Sequence, residues 1–437
     1  MGYLSLGGDY WSLGEVGRAS EYYGKAFQLR EHASDREKLD IIADYYSNVT
    51  GELDKAVETR EEQIETYPRE FGVYGNLGTV FASEGQYEKA MEITRKEMSL
   101  APSRAYRYVN LANYSLALQR FDEARQMIRE AHARNSDDVV LHNDLYALAF
   151  LESDSSGLAV QQNWFAAHPD YESFGLALES DTEAYLGHLV TARELTKRAV
   201  ASAIRADSKE SGAVWLANAA LHQAAYGYTT ESRRSATEAL KLAAASQGVE
   251  SEVALAFAMA GDAPRAEGLA EDLDKRFPLD TQMQSLWLPA IQRQLALGKL
   301  ALDKKNPSAA LNLDAPQPSA PIELALIQFV ANISCLYPVY VRGQAYLAAG
   351  QANAAAAEFQ TILDHSGIVW NCWTGALAHL GVARANALQA RTSLGADADA
   401  ARVRALAAYK DFLALWKDAD PDIPILKQAK AEYARLQ

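Results

Sequence analysis

FGVYGNLGTVFASEGQYEKAMEITRKEMSLAPSR, residues 71–104, is the stretch of this chain that decides its fold. Its first half carries apolar residues at helical spacing, Gly85 interrupts that pattern, and Tyr87 starts a second one. Pro102 ends the second pattern, because proline disfavours helix in the residue before it. The stretch therefore predicts two short helices joined by a glycine turn.

The same pattern recurs every 34 residues near the start of the chain. Small residues keep this interval at Ala56, Ala90 and Ala124, and large apolar residues keep it at Leu53, Tyr87 and Phe121. A fixed period of this length is the signature of stacked helical hairpins. Successive hairpins are predicted to begin at Glu37, Phe71 and Ala105. The fold class that follows is all-α, a right-handed α-solenoid of helical hairpins.

The strength of the repeat divides the sequence into four parts. These are regular repeats in residues 1–135, degenerate hairpins in 136–305, a proline-rich loop and insert in 306–335, and further repeats with a capping helix in 336–437. The first helix is predicted to begin at Met1 without a polar cap, which suggests an array that once continued upstream.

In the last part, Tyr337 opens a clear hairpin and Leu380 is predicted to begin the final one. The turn of that final hairpin is expected to be lengthened by TSLGADADA, residues 392–400. Residues 425–436 are expected to form the capping helix.

Composition excludes several classes of function. The 437 residues carry a formal net charge of −15, which repels nucleic-acid backbones and anionic lipid surfaces. No stretch reaches the roughly 20 apolar residues that span a bilayer. We therefore expect no nucleic-acid partner and no membrane insertion by this chain.

The chain has two cysteines, Cys335 and Cys372, which are too few for a disulfide framework or a four-ligand zinc site. Each precedes the first helix of a predicted hairpin, so the two are expected to be neighbours in space. The sequence favours two small buried thiols, with a disulfide between Cys335 and Cys372 as the alternative.

The repeat resembles the tetratricopeptide repeat. The large apolar, Leu, Gly, aromatic, Ala and Pro positions of that family match Tyr74, Leu77, Gly78, Phe81, Ala90 and Pro102. Departures are Ser115 in place of an aromatic residue and Gln119 in place of the turn glycine.

The C-terminal stretches LYPVYVRGQAYL, GALAHLGVAR and ALWKDADPDIPILKQAKAEYARLQ also resemble the tails of bacterial serine/threonine kinases that carry tetratricopeptide arrays. No glycine-rich phosphate loop, catalytic lysine, HRD loop or DFG site is present. The resemblance therefore implies a sensory or scaffolding portion without phosphoryl transfer.

The tetratricopeptide resemblance also implies a binding groove, because the first helix of each hairpin faces the concave side in that family. The predicted groove residues are Lys38, Tyr45, Asn48, Thr79, Tyr106, Asn113 and Leu116. A peptide segment of a protein partner is the expected ligand. A structural role for these tyrosines is the alternative.

The predicted function is a non-catalytic scaffold that needs no cofactor or metal. One alternative is the regulatory part of a bacterial serine/threonine kinase whose catalytic domain is absent from this chain. Another is an enzyme within residues 153–321, although this part of the sequence contains no recognisable catalytic motif. The expected compartment is the cytoplasm, with the extracytoplasmic part of a membrane-anchored kinase as the alternative. The sequence leaves the oligomeric state open.

Overall fold

The computed structural model describes residues 1–102, 104–303, 322–325 and 335–437. These residues are predominantly helical and contain no β-strand. The predicted proline-rich loop, residues 306–321, lies outside the described residues, as does most of the insert that follows it.

The α-helices are numbered in chain order. They are α1 Gly2–Ser12, α2 Val16–Gln28, α3 Asp35–Tyr45, α4 Leu53–Thr66, α5 Phe71–Ser83, α6 Tyr87–Leu100, α7 Tyr106–Ala117, α8 Phe121–His132, α9 Val139–Leu151, α10 Ser155–Ala167, α11 Glu172–Tyr185, α12 Leu189–Arg205, α13 Lys209–Tyr226, α14 Thr229–Leu242, α15 Gln247–Met259, α16 Ala263–Arg276, α17 Leu288–Asp303, α18 Tyr337–Ala348, α19 Ala352–Asp364, α20 Ser366–Val369, α21 Trp373–Thr392, α22 Gly395–Leu415 and α23 Pro424–Leu436.

Short turns of other helix types supplement them. They are 3-10 turns at Arg30–His32 and Ile322–Leu324 and π-helical turns at Tyr46–Thr50 and Met283–Trp287.

The described helices form ten hairpins, which confirms the predicted all-α solenoid of tetratricopeptide-like hairpins. The pairs are α1 with α2, α3 with α4, and so on to α15 with α16, followed by α18 with α19 and α21 with α22. Helices α17, α20 and α23 stand outside the pairs. We call the earlier helix of each pair its first helix and the later one its second helix.

The chain divides into two compact units. The described residues of unit 1 are 1–164 without residue 103, 275–286 and 322–325, and those of unit 2 are 165–274, 287–303 and 335–437. Each unit is described by itself below.

In the structure, the 34-residue interval continues beyond residue 135, where the regular repeat pattern in the sequence ends. Second helices begin at Leu53, Tyr87, Phe121, Ser155 and Leu189, each 34 residues after the last. The turn before each has one residue with positive φ, at Gly51, Gly85, Gln119, Ser153 and Gly187. The turns without glycine at this position therefore keep the same backbone conformation, with φ of 60° at Gln119 and 56° at Ser153.

Close approach of the paired helices depends on glycine in the first helix. A Cβ on Gly78 would lie 2.7 Å from Thr94 Oγ1 and 3.3 Å from the Ala90 carbonyl oxygen. A Cβ on Gly343 would lie 2.9 Å from Cε1 of Phe359, which is 1% exposed. A larger residue at these positions forces the helices apart.

The predicted start of the final hairpin is wrong. Its first helix begins at Trp373 and not at Leu380, because Gly381 lies inside the helix, where it makes room for the Phe359 ring. The long turn predicted for residues 392–400 is also wrong, since α22 already begins at Gly395. The capping helix α23 is confirmed.

The two cysteines are neighbours, as predicted, but they form a disulfide, so the favoured interpretation of two thiols is wrong. Their Cα atoms lie 5.4 Å apart, a separation typical of disulfides. Cys372 is the residue directly before α21, and Thr374 Oγ1 donates a hydrogen bond to the Cys335 carbonyl oxygen (2.5 Å). This local packing brings the two sulfur atoms together.

We predict that Ser153→Gly raises the free energy of unfolding by about 0.5–1 kcal/mol, because the left-handed conformation costs a non-glycine residue about 1–2 kcal/mol and glycine loses more backbone entropy. Urea unfolding followed by circular dichroism measures the change. Ser208→Gly is the control, since Ser208 has φ of −102° and also lacks a side-chain cap bond. An equal gain from both variants contradicts the explanation.

Candidate peptide-binding surface

All seven predicted groove residues lie in unit 1, and three of them belong to α3 or the π-helical turn after it. Lys38 Nζ pairs with Glu31 at 2.6 Å and keeps a third of its side chain exposed. The Tyr45 ring stacks on Phe27, with centroids 3.8 Å apart. Asn48 Nδ2 donates to the Asp44 carbonyl oxygen at 3.0 Å. All three partners lie in α2, in α3 or in the 3-10 turn between them.

The other four residues lie on α5 and α7 and differ widely in exposure. Tyr106 is 60% exposed, whereas Asn113 is 5% and Leu116 0% exposed. Thr79 is half-buried and its Oγ1 donates to the Gly75 carbonyl oxygen at 3.2 Å. The seven residues therefore do not form one continuous exposed surface.

An accessible row does exist at one position of three successive hairpins. It consists of Lys38, Gly72 and Tyr106, each 34 residues after the last, and we call it the accessible row. A Cβ on Gly72 would meet nothing within 4 Å, so the backbone there is open to contact. The row combines a cation, an open backbone position and an exposed aromatic ring, which suits contact with a polypeptide segment.

Asn113 and the buried Asp144 form a pair between α7 and α9, with Asn113 Nδ2 3.3 Å from Asp144 Oδ1. Burial raises the pKa of the Asp144 carboxyl well above its ordinary value, while the Asn113 bond opposes that rise. Asn113 is one of the predicted groove residues, whereas Asp144 is not among them. An aspartate within the apolar stretch VVLHNDLYALAFL was the signal that such a pair existed.

Unit 2 contains a comparable pair between α11 and α13. Asn218 Nδ2 lies 2.8 Å from Asp181 Oδ1, and burial raises the pKa of Asp181 to about 7 despite that hydrogen bond. In both pairs, a carboxyl group and an amide connect the first helices of neighbouring hairpins. A raised pKa favours the neutral acid, so these pairs are sensitive to pH.

In unit 2, helix α11 is bound by residues from the C-terminal part of the same unit. Asn371 Nδ2 donates to the Leu178 carbonyl oxygen at 3.1 Å and lies 3.2 Å from Thr182 Oγ1. Trp416 Nε1 donates to the Tyr185 carbonyl oxygen at 2.9 Å. Helix α11 therefore already binds segments of its own chain.

Two hairpin turns are capped by distant segments in the same way. In unit 2, Asp420 N donates to the Gly187 carbonyl oxygen (3.0 Å), and Asp420 Oδ2 accepts from Val190 N (2.9 Å). In unit 1, Thr281 does the same at Gly51 and Leu53, at 2.9 and 3.2 Å. Each segment supplies the oxygen that an N-cap residue normally provides. Sequence spacing carries no signal for these long-range caps.

The described residues contain no group of three or more His, Cys, Asp or Glu side chains arranged to hold a metal ion. Among the helices described, none is both long enough and apolar enough to cross a membrane.

No protein-family model matches the chain. Part of it is similar to the protein CTR9 homolog of Arabidopsis thaliana, with 27% identity over 159 residues. That match covers 34% of this chain and 14% of the relative, so it spans a small part of the relative's length.

Three solved structures are similar at low identity. Yeast Tom70 is 13% identical with a TM-score of 0.32, covering 100% of this chain and 95% of that one. The P58(IPK) TPR domain is 12% identical with a TM-score of 0.24, covering 92% and 98%. A tetratricopeptide repeat protein from Parabacteroides merdae is 11% identical with a TM-score of 0.26, covering 88% and 97%. None of these likenesses identifies what this chain binds.

We predict that Asp181→Asn changes how stability depends on pH. A carboxyl with a raised pKa holds its proton more tightly when folded, so the contribution of Asp181 to stability is greatest below about pH 4 and falls as pH rises to about 7. Because asparagine does not titrate, the variant is not expected to lose stability in this way as pH rises. Urea midpoints measured from pH 4 to 8 test it.

At pH 8 the Asp181→Asn variant is therefore expected to exceed wild type in stability, and the difference shrinks toward pH 4. Asp418→Asn serves as the control, because the Asp418 side chain is 73% exposed. Parallel pH curves for wild type and Asp181→Asn would rule out the assigned titration.

Proposed function

We propose that this chain is a non-catalytic protein-interaction scaffold that binds extended segments of other proteins along the first helices of unit 1. The accessible row of Lys38, Gly72 and Tyr106 is the observation that carries the proposal. Its three positions share one place in successive hairpins, and they offer charge, open backbone and aromatic surface at 34-residue spacing.

The contrast with unit 2 supports assigning binding to unit 1. Two repeats after Tyr106, the same position is Phe174, which is 9% exposed and packs edge-on against Trp215 with centroids 5.2 Å apart. A side chain held in this way is not available to a partner. The remaining predicted groove residues, Tyr45, Asn48, Thr79, Asn113 and Leu116, are half-buried or buried and stay predictions.

The regulatory part of a bacterial serine/threonine kinase is a second candidate function. The Cys335–Cys372 disulfide favours it, because disulfides persist in oxidising compartments and are rare in the cytosol. In the kinases that this chain resembles, the array follows the catalytic domain, commonly with a membrane span between them. An extracytoplasmic location then suits a sensor that binds a protein segment.

The scaffold function is tested by panning a phage library of random 12-residue peptides against the purified chain. We expect enriched peptides whose binding weakens at least tenfold in the Lys38→Ala plus Tyr106→Ala double variant, because both side chains of the accessible row are lost. Titration of synthetic copies by fluorescence anisotropy measures the change.

Lys197→Ala plus Tyr433→Ala is the matched control, since these residues lie in unit 2 and Lys197 is 79% exposed. Affinity that falls equally in both double variants, or a library without enriched peptides, is evidence against the proposed function.

The compartment is tested by the state of the two cysteines in cells of the source organism. We expect neither to react with a maleimide-polyethylene glycol reagent when lysates are denatured in acid, because the disulfide leaves no free thiol. Reduction before labelling is then expected to add two labels. Two labels without reduction would place the chain in a reducing compartment.

A further inference from the structure

Two segments of unit 2 contact the neighbouring first helices α11 and α13. Directly before α21, Asn371 Nδ2 donates to the Leu178 carbonyl oxygen of α11 at 3.1 Å. At the start of α18, the Tyr337 hydroxyl lies 3.5 Å from Asn218 Oδ1 of α13. Asn218 in turn donates to Asp181 of α11. The two segments therefore reach both helices at the place where the helices are joined to each other.

The Cys335–Cys372 disulfide connects these two contacts covalently. Each cysteine lies within two residues of the side chain that makes the contact. We call residues 335–337 and 370–374, which the disulfide links, the clamp. Because its two halves are held together, each half raises the effective concentration of the other at its helix. The disulfide therefore favours the state in which both helices are bound.

The clamp is buried in unit 2. Tyr337, Asn371 and Trp373 are 1%, 2% and 3% exposed, and the rings of Tyr337 and Trp373 stack with centroids 5.7 Å apart. Among the described residues, Trp373 Nε1 finds no hydrogen-bond partner, so burial of this donor is unfavourable. The clamp thus occupies polar groups of α11 and α13 that a bound polypeptide would otherwise contact.

The backbone of the clamp has an unfavourable conformation. Cys335 and Leu336 have φ of 48° and 47°, in the left-handed region that disfavours residues with a Cβ. In the described parts of the chain, they are the only consecutive non-glycine residues with positive φ. The disulfide and the hydrogen bond from Thr374 both hold Cys335 in place. Loss of the disulfide removes one of these restraints and lets the backbone relax.

We propose that the disulfide is a redox switch. In the oxidised chain it holds the clamp on α11 and α13, and reduction releases the clamp so that these helices bind another polypeptide segment. The released face fits a segment with a carboxamide side chain flanked by aromatic residues, because the clamp presents Asn371 between Trp370 and Trp373. This inference goes beyond the proposed function, since it concerns unit 2 and needs nothing from the accessible row.

The reductant is a dithiol. One of its thiolates attacks a disulfide sulfur, and the other cysteine leaves as a thiolate that takes up a proton. The second thiol of the reagent then displaces the first cysteine, so the chain gains two electrons and two thiols while the dithiol becomes a cyclic disulfide. Cys335 and Cys372 are only 3% and 5% exposed, so the attack requires local opening of the clamp.

Hydrogen exchange of the full chain, with and without a dithiol, tests the switch. We expect the amides of residues 366–378 to exchange at least tenfold faster after reduction, because the clamp loses its covalent connection. Helix α15, Gln247–Met259, is the control within unit 2 and is expected to be unchanged. Equal exchange of residues 366–378 in both states overturns the proposal. Loss of protection in α15 as well shows a bond needed for folding and also overturns it.

A fluorescent peptide tests whether the released face binds polypeptide. The peptide copies residues 366–378 with the Cys372→Ser substitution, so it forms no disulfide. Fluorescence anisotropy is expected to show at least tenfold tighter binding to the reduced chain than to the oxidised chain. The same peptide with Asn371→Ala is the matched control and is expected to bind at least tenfold more weakly, because it loses the hydrogen bonds to Leu178 and Thr182.

A double variant shows whether the reductant acts through this bond. Cys335→Ser plus Cys372→Ser is expected to bind the peptide without a dithiol, since the described residues include no other cysteine. Peptide binding that is equal in the oxidised and reduced chains, or absent from both, overturns the switch. Neither result affects the scaffold function proposed for unit 1, which the phage library tests separately.

Discussion

Close contact between packed helices, both within a hairpin and between neighbouring hairpins, is the constraint on which the rest of the structure depends. Phe359 shows it most clearly, because its ring lies between Gly343 of α18 and Gly381 of α21. A Cβ on either glycine would enter space that the ring atoms occupy. Gly78 against Thr94 shows the same relation in unit 1. Interiors packed this closely have no room for an added methyl group without a shift of the helices.

Segments distant in sequence bind first helices in both units, as Gln282 Nε2 does at the Ser83 carbonyl oxygen of α5 in unit 1. In unit 2, Asn371 and Trp416 bind the backbone of α11, so the chain supplies its own ligand. In unit 1, the accessible row leaves its first-helix positions open at Gly72 and Tyr106. A repeat whose first helices bind polypeptide within the molecule has the chemistry to bind polypeptide from outside. The open positions are therefore the ones that we propose for a partner.

The fold could be predicted from the sequence because small and apolar residues keep one interval. Gln119 and Ser153 take the turn conformation without glycine. The glycine that marks the turn in the sequence is therefore absent at these positions, although the backbone keeps the 34-residue interval. The start of α21 was missed because Gly381, a residue that usually interrupts helices, serves packing against a distant ring. The contact between Gly381 and Phe359 cannot be inferred from residue spacing in one sequence.

Less of the candidate site could be predicted. The position of Tyr106 in the repeat indicates that it lies on the first helix of a hairpin. The position of Leu116 does not indicate that this residue is fully buried, since burial depends on every element that packs nearby. The disulfide was not favoured because 37 residues separate its cysteines and the sequence gives no distance between helix ends.

The stability of Gly381→Ala tests the central claim most directly. Glycine to alanine inside an unconstrained helix stabilises by about 1 kcal/mol. Contact with Phe359 reverses the sign, so we predict a free energy of unfolding lowered by about 1–3 kcal/mol. Gly24→Ala in α2 is measured beside it, because a Cβ there meets nothing within 4 Å and the expected change is a gain. A gain in both variants would contradict close helix contact as the basis of the fold.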